Sequence, residues 1–181
     1  MLIGWRNQMS VGTQEATGHA RLDSTAVAAR VGRSLSLDLE LDIRRPPRSV
    51  RAWWTDLPDD YVAKDPREQP HRIRVLARYP DRIELVGTWR GPLGKEMLLP
   101  ETLRVRQDGS WTFDARPMGL RVHDEFQASP SGDGTRLHIR TVITPAGAWG
   151  RIVARLMGGR LLRMLEKGWP TAAEICERDA P

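Results

Sequence analysis

From Ser34 to Ile43, Leu35, Leu37, Leu39, Leu41 and Ile43 alternate strictly with Ser36, Asp38, Glu40 and Asp42. A two-residue period puts the five apolar side chains on one side of an extended backbone and the polar ones on the other. The segment therefore reads as a strand with one buried and one wet face. The same alternation returns from His71 in short runs, predicting strands at 71–79, 82–90, 95–106, 110–116, 119–129 and 135–145. Between them stand Pro80-Asp81, Gly91-Pro92-Leu93-Gly94, Asp108-Gly109, Pro117-Met118-Gly119 and Ser131-Gly132-Asp133-Gly134, each with turn chemistry. Short connections of this kind make an antiparallel meander.

Two places depart from period two. After Arg45-Pro46-Pro47 stops the first strand, Val50, Trp53, Trp54 and Leu57 fall on one helical stripe, with Pro tolerated in the first turn. Pro58-Asp59-Asp60 ends that helix, and Tyr61-Val62-Ala63 is read as a second short helical turn. After Pro145-Ala146-Gly147 the period becomes 3.6: Trp149, Ile152, Val153, Leu156, Leu161, Met164, Leu165 and Trp169 share a face, opposite Arg151, Arg155, Arg163 and Lys167. This predicts a long amphipathic helix over 148–169, with Gly158-Gly159 as a soft or close-packing point. Pro170 is expected to kink it or break it before a last segment at 171–178.

The 181-residue length suits one domain. Residues 1–33 are read as a poorly ordered leader, apart from a short helix expected at Ser24 to Val31 with Ser24 as N-cap, and the folded domain as 34–178. No apolar run reaches the roughly 20 residues needed to span a bilayer, and no secretory h-region is present, so a cytoplasmic protein is expected. The lone Cys176 excludes an internal disulfide and fits a reducing compartment. Of the 28 Lys and Arg residues all but Lys64, Lys95 and Lys167 are Arg, spread over outward strand positions (Arg72, Arg74, Arg78, Arg82, Arg90) among acidic neighbours. That is a solvated face, and with no nucleic-acid motif beside it no nucleic-acid partner is expected.

One strand, a helical pair, six further antiparallel strands and a long terminal helix form a distinctive order. Two local stretches accompany it: Ile43-Arg44-Arg45-Pro46-Pro47-Arg48-Ser49-Val50-Arg51-Ala52-Trp53-Trp54-Thr55-Asp56-Leu57 at the first strand-to-helix junction, and Ala128-Ser129-Pro130-Ser131-Gly132-Asp133-Gly134-Thr135-Arg136-Leu137 before the last strand. On these the chain, over about residues 34–178, resembles the START/Bet v 1-like (SRPBCC) superfamily, closest to its polyketide cyclase/dehydrase and lipid-transport branch. The resemblance implies an α+β helix-grip fold, a seven-stranded curved antiparallel sheet around a long C-terminal helix. It also implies a cavity between sheet and helix for lipids, polyketides or other hydrophobic molecules. It implies no catalytic residue set, because that superfamily shares none.

Residues on the expected inner face become the candidate ligand contacts: Trp53, Trp54, Tyr79, Trp89, Met97, Leu99, Trp111, Phe113, Phe126, Trp149, Ile152, Val153 and Leu156. Three polar residues interrupt that face: Glu101 between Leu99 and Leu103, Asp124 between Val122 and Phe126, and Thr141 between Ile139 and Ile143. A buried polar group without a partner costs about 1–3 kcal/mol, so such positions have a structural or a functional reason. Glu101 and Asp124 are the candidate acid/base pair. The alternatives are a β-bulge near Pro100 that turns Glu101 outward, and a purely structural pairing for Asp124.

His71, His123 and His138 are expected to face out and His19 lies in the leader, so neither a metal site nor a triad emerges; the hairpin glycines open no helix, so no cofactor is implied. Three readings stay open at this level. One is binding or transport of a small hydrophobic ligand. A second is an aromatase/cyclase-like enzyme using Glu101 or Asp124. A third is a peripheral membrane or partner-binding protein using the basic terminal helix. Homodimerisation stays open as well.

Overall fold

The computed structural model describes residues 24–31, 34–62, 72–90 and 96–180. Its elements in chain order are β1 (Ser24–Val31), β2 (Ser34–Ile43), α1 (Pro47–Thr55), β3 (Asp60–Val62), β4 (Arg72–Arg78), β5 (Ile83–Arg90), β6 (Glu96–Val105), β7 (Trp111–Ala115), β8 (Leu120–Ser131), β9 (Gly134–Pro145) and α2 (Gly147–Asp179). The strands form one antiparallel sheet in the order β1-β2-β9-β8-β7-β6-β5-β4-β3. The helix-grip expectation holds, with all seven expected strands in place.

Two edge strands extend the sheet to nine. Ser24 to Val31, expected as a helix, pairs with β2 from Ser24↔Leu41 to Val31↔Ser34. Eight residues are too few for a helix stable by itself, whereas the free edge of β2 offers a full ladder. Likewise the expected helical turn at Tyr61-Val62 is β3, paired with β4 through Tyr61↔Ile73. Among the described residues one helix, not two, therefore follows β2.

α1 begins at Pro47, with the amides of Ser49 and Val50 donating to the Pro46 carbonyl at 2.9 and 3.1 Å. It buries Val50 and Trp54 against the sheet. α2 runs unbroken through Pro170, because on both sides of that residue its inner face is held in the core, by Trp169 before it and Ala172, Ala173 and Cys176 after it. Arg45 closes the far end, its Nε donating to the Glu177 carbonyl at 2.8 Å, one of the terminal carbonyls that the helix leaves unpaired.

Small residues fix the rotation of α2. A Cβ on Gly150 would meet the Gly119 carbonyl, and one on Gly158 would meet the Leu35 side chain. With Ala154 between them, these residues recur every four positions and let the helix lie close on β2 and β9. The bulky residues expected to face the sheet are consequently turned away: Trp149, Ile152 and Leu156 are 61%, 50% and 77% exposed. Val153 from that set is buried.

A register shift between Val75 and Ala77 produces a second correction. Val75 pairs with the buried Leu85, but Ala77 pairs with Glu84 on the outer face. The bulge thus reverses the alternation for the end of β4, and Tyr79 emerges exposed, with the Arg82 guanidinium 4.0 Å over its ring. Arg78, expected among the outward arginines, instead reaches back to the segment after α1 and donates to the Leu57 carbonyl at 2.5 Å and to Asp59 at 3.1 Å.

Candidate functional site

The ladders place the inner-face residues in rows across the sheet. One row runs Val75–Leu85–Glu101–Ala115–Val122–Ile143–Leu35 from β4 to β2. The next runs Ile83–Leu103–Phe113–Asp124–Thr141–Leu37. A third carries Trp111–Phe126–Ile139–Leu39.

Those rows separate two apolar clusters. Around Trp54, Trp111 and Phe126, the larger one gathers α1, the C-terminal half of α2 and the sheet beneath them. Phe126 is its centre: Trp111 stacks on it at 5.4 Å, Trp169 meets it edge-on at 5.4 Å, Trp54 lies tilted at 5.2 Å and Phe113 stands edge-on at 6.0 Å. Trp53 packs edge-on against Trp54 at 5.0 Å. The indole N–H groups of Trp54, Trp111 and Trp169 are buried without a hydrogen-bond acceptor among the described residues, so these rings supply apolar surface rather than polar contacts. The smaller cluster joins Leu35, Leu120 and Ile143 to Val153 and Ala154 at the start of α2, with Val122, Met157 and Leu161 packed against it.

Between the two clusters lie the polar residues of the inner face. The β5–β6 ladder passes Pro100 without a shift, Val86↔Pro100 followed by Leu85↔Glu101, so no bulge turns Glu101 outward. Burial, and then the charge of Asp124, push the Glu101 carboxyl up from 4.5 to about 7. Asp124 is 8% exposed and accepts a 2.5 Å hydrogen bond from the hydroxyl of Thr141, which is wholly buried. Burial lifts the Asp124 carboxyl from 3.8 to about 6, against the opposing pull of that hydrogen bond and of His123. Asp124 thus ionises first, and its charge then holds the Glu101 proton on. Near neutral pH the pair therefore passes from one negative charge and one shared proton to two charges and none.

The coverage of this face is uneven. α2 packs mainly on β2 and β9. On the other half Leu85 is closed over, while Ile73, Val75, Leu99, Glu101, Phe113 and Ala115 remain partly accessible, as does Val122 at the boundary beside the start of α2. An apolar wall with one carboxyl acid at its middle can hold a greasy molecule and offer a hydrogen-bond donor or a proton to a polar atom on it.

Of the candidate contacts, the structure brings Trp54, Trp111, Phe113, Phe126 and Trp53 into the aromatic cluster, and puts Leu99, Glu101, Asp124 and Thr141 on the inner face beside it. It does not bring Tyr79, Trp149, Ile152 or Leu156 there. Trp89 and Met97 pair in the β5–β6 ladder, but their side chains lie outside the described residues. Trp169, which the candidate contacts omit, also joins the aromatic cluster, and its place on the 3.6-residue stripe was the usable signal. Cys176 is fully buried, and burial pushes its thiol up to about 12. Among the described residues no cluster of His, Cys, Asp and Glu could hold a metal, and no helix is long and apolar enough to cross a membrane.

No protein-family model and no curated protein matches the chain by sequence. Solved structures do match its shape. It is similar to the Thermus thermophilus protein TTHA0849, at 16% identity and TM-score 0.57 over 79% of this chain and 94% of that one. It is similar to the di-domain ARO/CYC protein BexL from the BE-7585A biosynthetic pathway, at 14% identity and TM-score 0.52 over 82% of this chain, and it spans 51% of that longer one. It is also similar to a STAR-related lipid transfer protein from Xanthomonas axonopodis, at 12% identity and TM-score 0.51 over 90% of this chain and 97% of that fragment. What these structures share with the chain is the fold, a helix-grip arrangement of one curved antiparallel sheet around a long C-terminal helix.

Proposed function

We propose that this protein binds a small, mainly apolar molecule bearing a polar oxygen on the half-open inner face of the sheet, with Glu101 as its polar anchor. The observation that carries the reading is the uneven coverage of that face. Ile73, Val75, Leu99 and Val122 keep partial access although they belong to the apolar side of the sheet, while Glu101 stands among them with its carboxyl pushed up to about 7, so that it retains a share of its proton at neutral pH. Apolar surface that the protein's own helix does not cover gains about 25 cal/mol per Å² when a ligand removes it from water. Two neighbours of the same fold, a lipid transfer protein and an ARO/CYC protein, carry names that fit such a ligand.

The neutral fluorescent probe N-phenylnaphthylamine tests the reading. Its emission should rise on mixing with the protein, and Ala115→Trp, which fills the middle of the open wall, should abolish the rise in a folded variant. Equal enhancement in both proteins would refute the site.

A second reading, proton transfer on the bound molecule, is supported by Glu101 and Asp124 standing in adjacent rows with carboxyls lifted to different heights. It requires that Glu101→Gln bind a polyketide-type substrate as the parent does but fail to turn it over. Unchanged turnover would remove the reading.

A further inference from the structure

The three apolar side chains that α2 turns away from the sheet form a surface of their own. Trp149, Ile152 and Leu156 are spaced three and four residues apart, so they line one stripe along the first three turns, and all are at least half exposed. Large apolar residues clustered in this way on a protein surface mark a contact site. The charge around them is one-sided. Arg151 and Arg155 flank the stripe, Arg160 and Arg163 continue it, and residues 147–165 contain no acidic side chain. All four guanidinium groups belong to exposed residues, and none is ion-paired among the described residues.

We infer that this outer face of α2 docks on an anionic lipid surface, with Trp149, Ile152 and Leu156 entering the headgroup boundary and the arginines meeting lipid phosphates. An interfacial helix has this composition: Trp and aliphatic residues on one stripe, Arg beside it. A second copy of the chain is the poorer occupant, because stacking two such stripes would oppose four arginines to four. The inner edge, Gly150, Ala154 and Gly158, stays packed on the sheet, so docking does not compete with folding. The element against the bilayer is then the one that covers the inner face of the sheet.

The test is sedimentation of the full chain with vesicles of phosphatidylcholine alone and of phosphatidylcholine mixed with phosphatidylglycerol. The expected result is partition onto the mixed vesicles only, weakened by salt. Leu156→Asp, at a position 77% exposed and so neutral for folding, should lower the partition by about tenfold or more. Arg151→Glu with Arg155→Glu should lower it at least as much. Circular dichroism confirms that each variant is folded. Equal partition onto both vesicle types, no partition, or a stripe that instead mediates a dimer lost in Leu156→Asp would overturn the inference.

Discussion

Replacing Glu101 by Gln should stabilise the protein at neutral and alkaline pH and leave it unchanged in acid. Glu101 is lifted from 4.5 to about 7, so the folded state holds its proton more tightly than the unfolded chain does. Stability from a raised carboxyl is complete below the unfolded value and is lost as pH climbs through the folded one. Each pKa unit corresponds to about 1.36 kcal/mol, so ionised Glu101 costs the fold on the order of 3 kcal/mol above about pH 8. Gln keeps the shape and cannot ionise. Urea unfolding of parent and Glu101→Gln, compared at each pH, should therefore give coincident curves near pH 4 and a gap opening from about pH 5 to a maximum near pH 8. Taking the difference at each pH cancels the titrating groups that do not interact with Glu101. Because the Asp124 charge is one of the two causes of the shift, the gap should shrink in an Asp124→Asn background. A gap independent of pH would refute the reasoning, since it would mean that Glu101 ionises as freely in the folded protein as in the unfolded one.

Other outcomes follow from the same packing. Phe126→Ala, at the fully buried centre of the aromatic cluster, should cost about 3–5 kcal/mol in denaturant unfolding, a loss that would leave a small domain barely folded. Gly158→Val should lower the melting temperature, because its side chain must displace Leu35 or lift α2 from the sheet; overpacking of this kind costs about 1–3 kcal/mol. Cys176 should be inert to a thiol reagent such as dithionitrobenzoate in the native state at pH 8 and react stoichiometrically once the chain is unfolded, being buried with its thiol pushed up to about 12.

The sheet was legible because strict alternation is a local signal: Leu35 to Ile43 could face only one way, and five side chains agree on it. The edge strands were not. Whether Ser24 to Val31 is helix or strand depends on the unpaired edge of β2, which no window of sequence contains. The direction of Tyr79 was lost to a single bulged residue, Leu76, in an otherwise regular strand. On α2 the apolar stripe was correctly periodic but broader than the sheet could use. The small residues Gly150, Ala154 and Gly158, not the large ones, decided which edge turned inward. Glu101, Asp124 and Thr141 were legible because polar residues in an apolar alternation are conspicuous. What could not be read was their mutual placement, which rests on the register of β6, β7, β8 and β9.

Methyl-resolved NMR during titration with N-phenylnaphthylamine would test the proposed site most directly, because it reports inner and outer faces in one experiment. Binding on the inner face should shift the methyls of Ile73, Val75, Leu99 and Val122, while those of Ile152 and Leu156 on the outer face of α2 stay in place. Shifts confined to Ile152 and Leu156, with the inner-face methyls unmoved, would contradict a ligand site between sheet and helix.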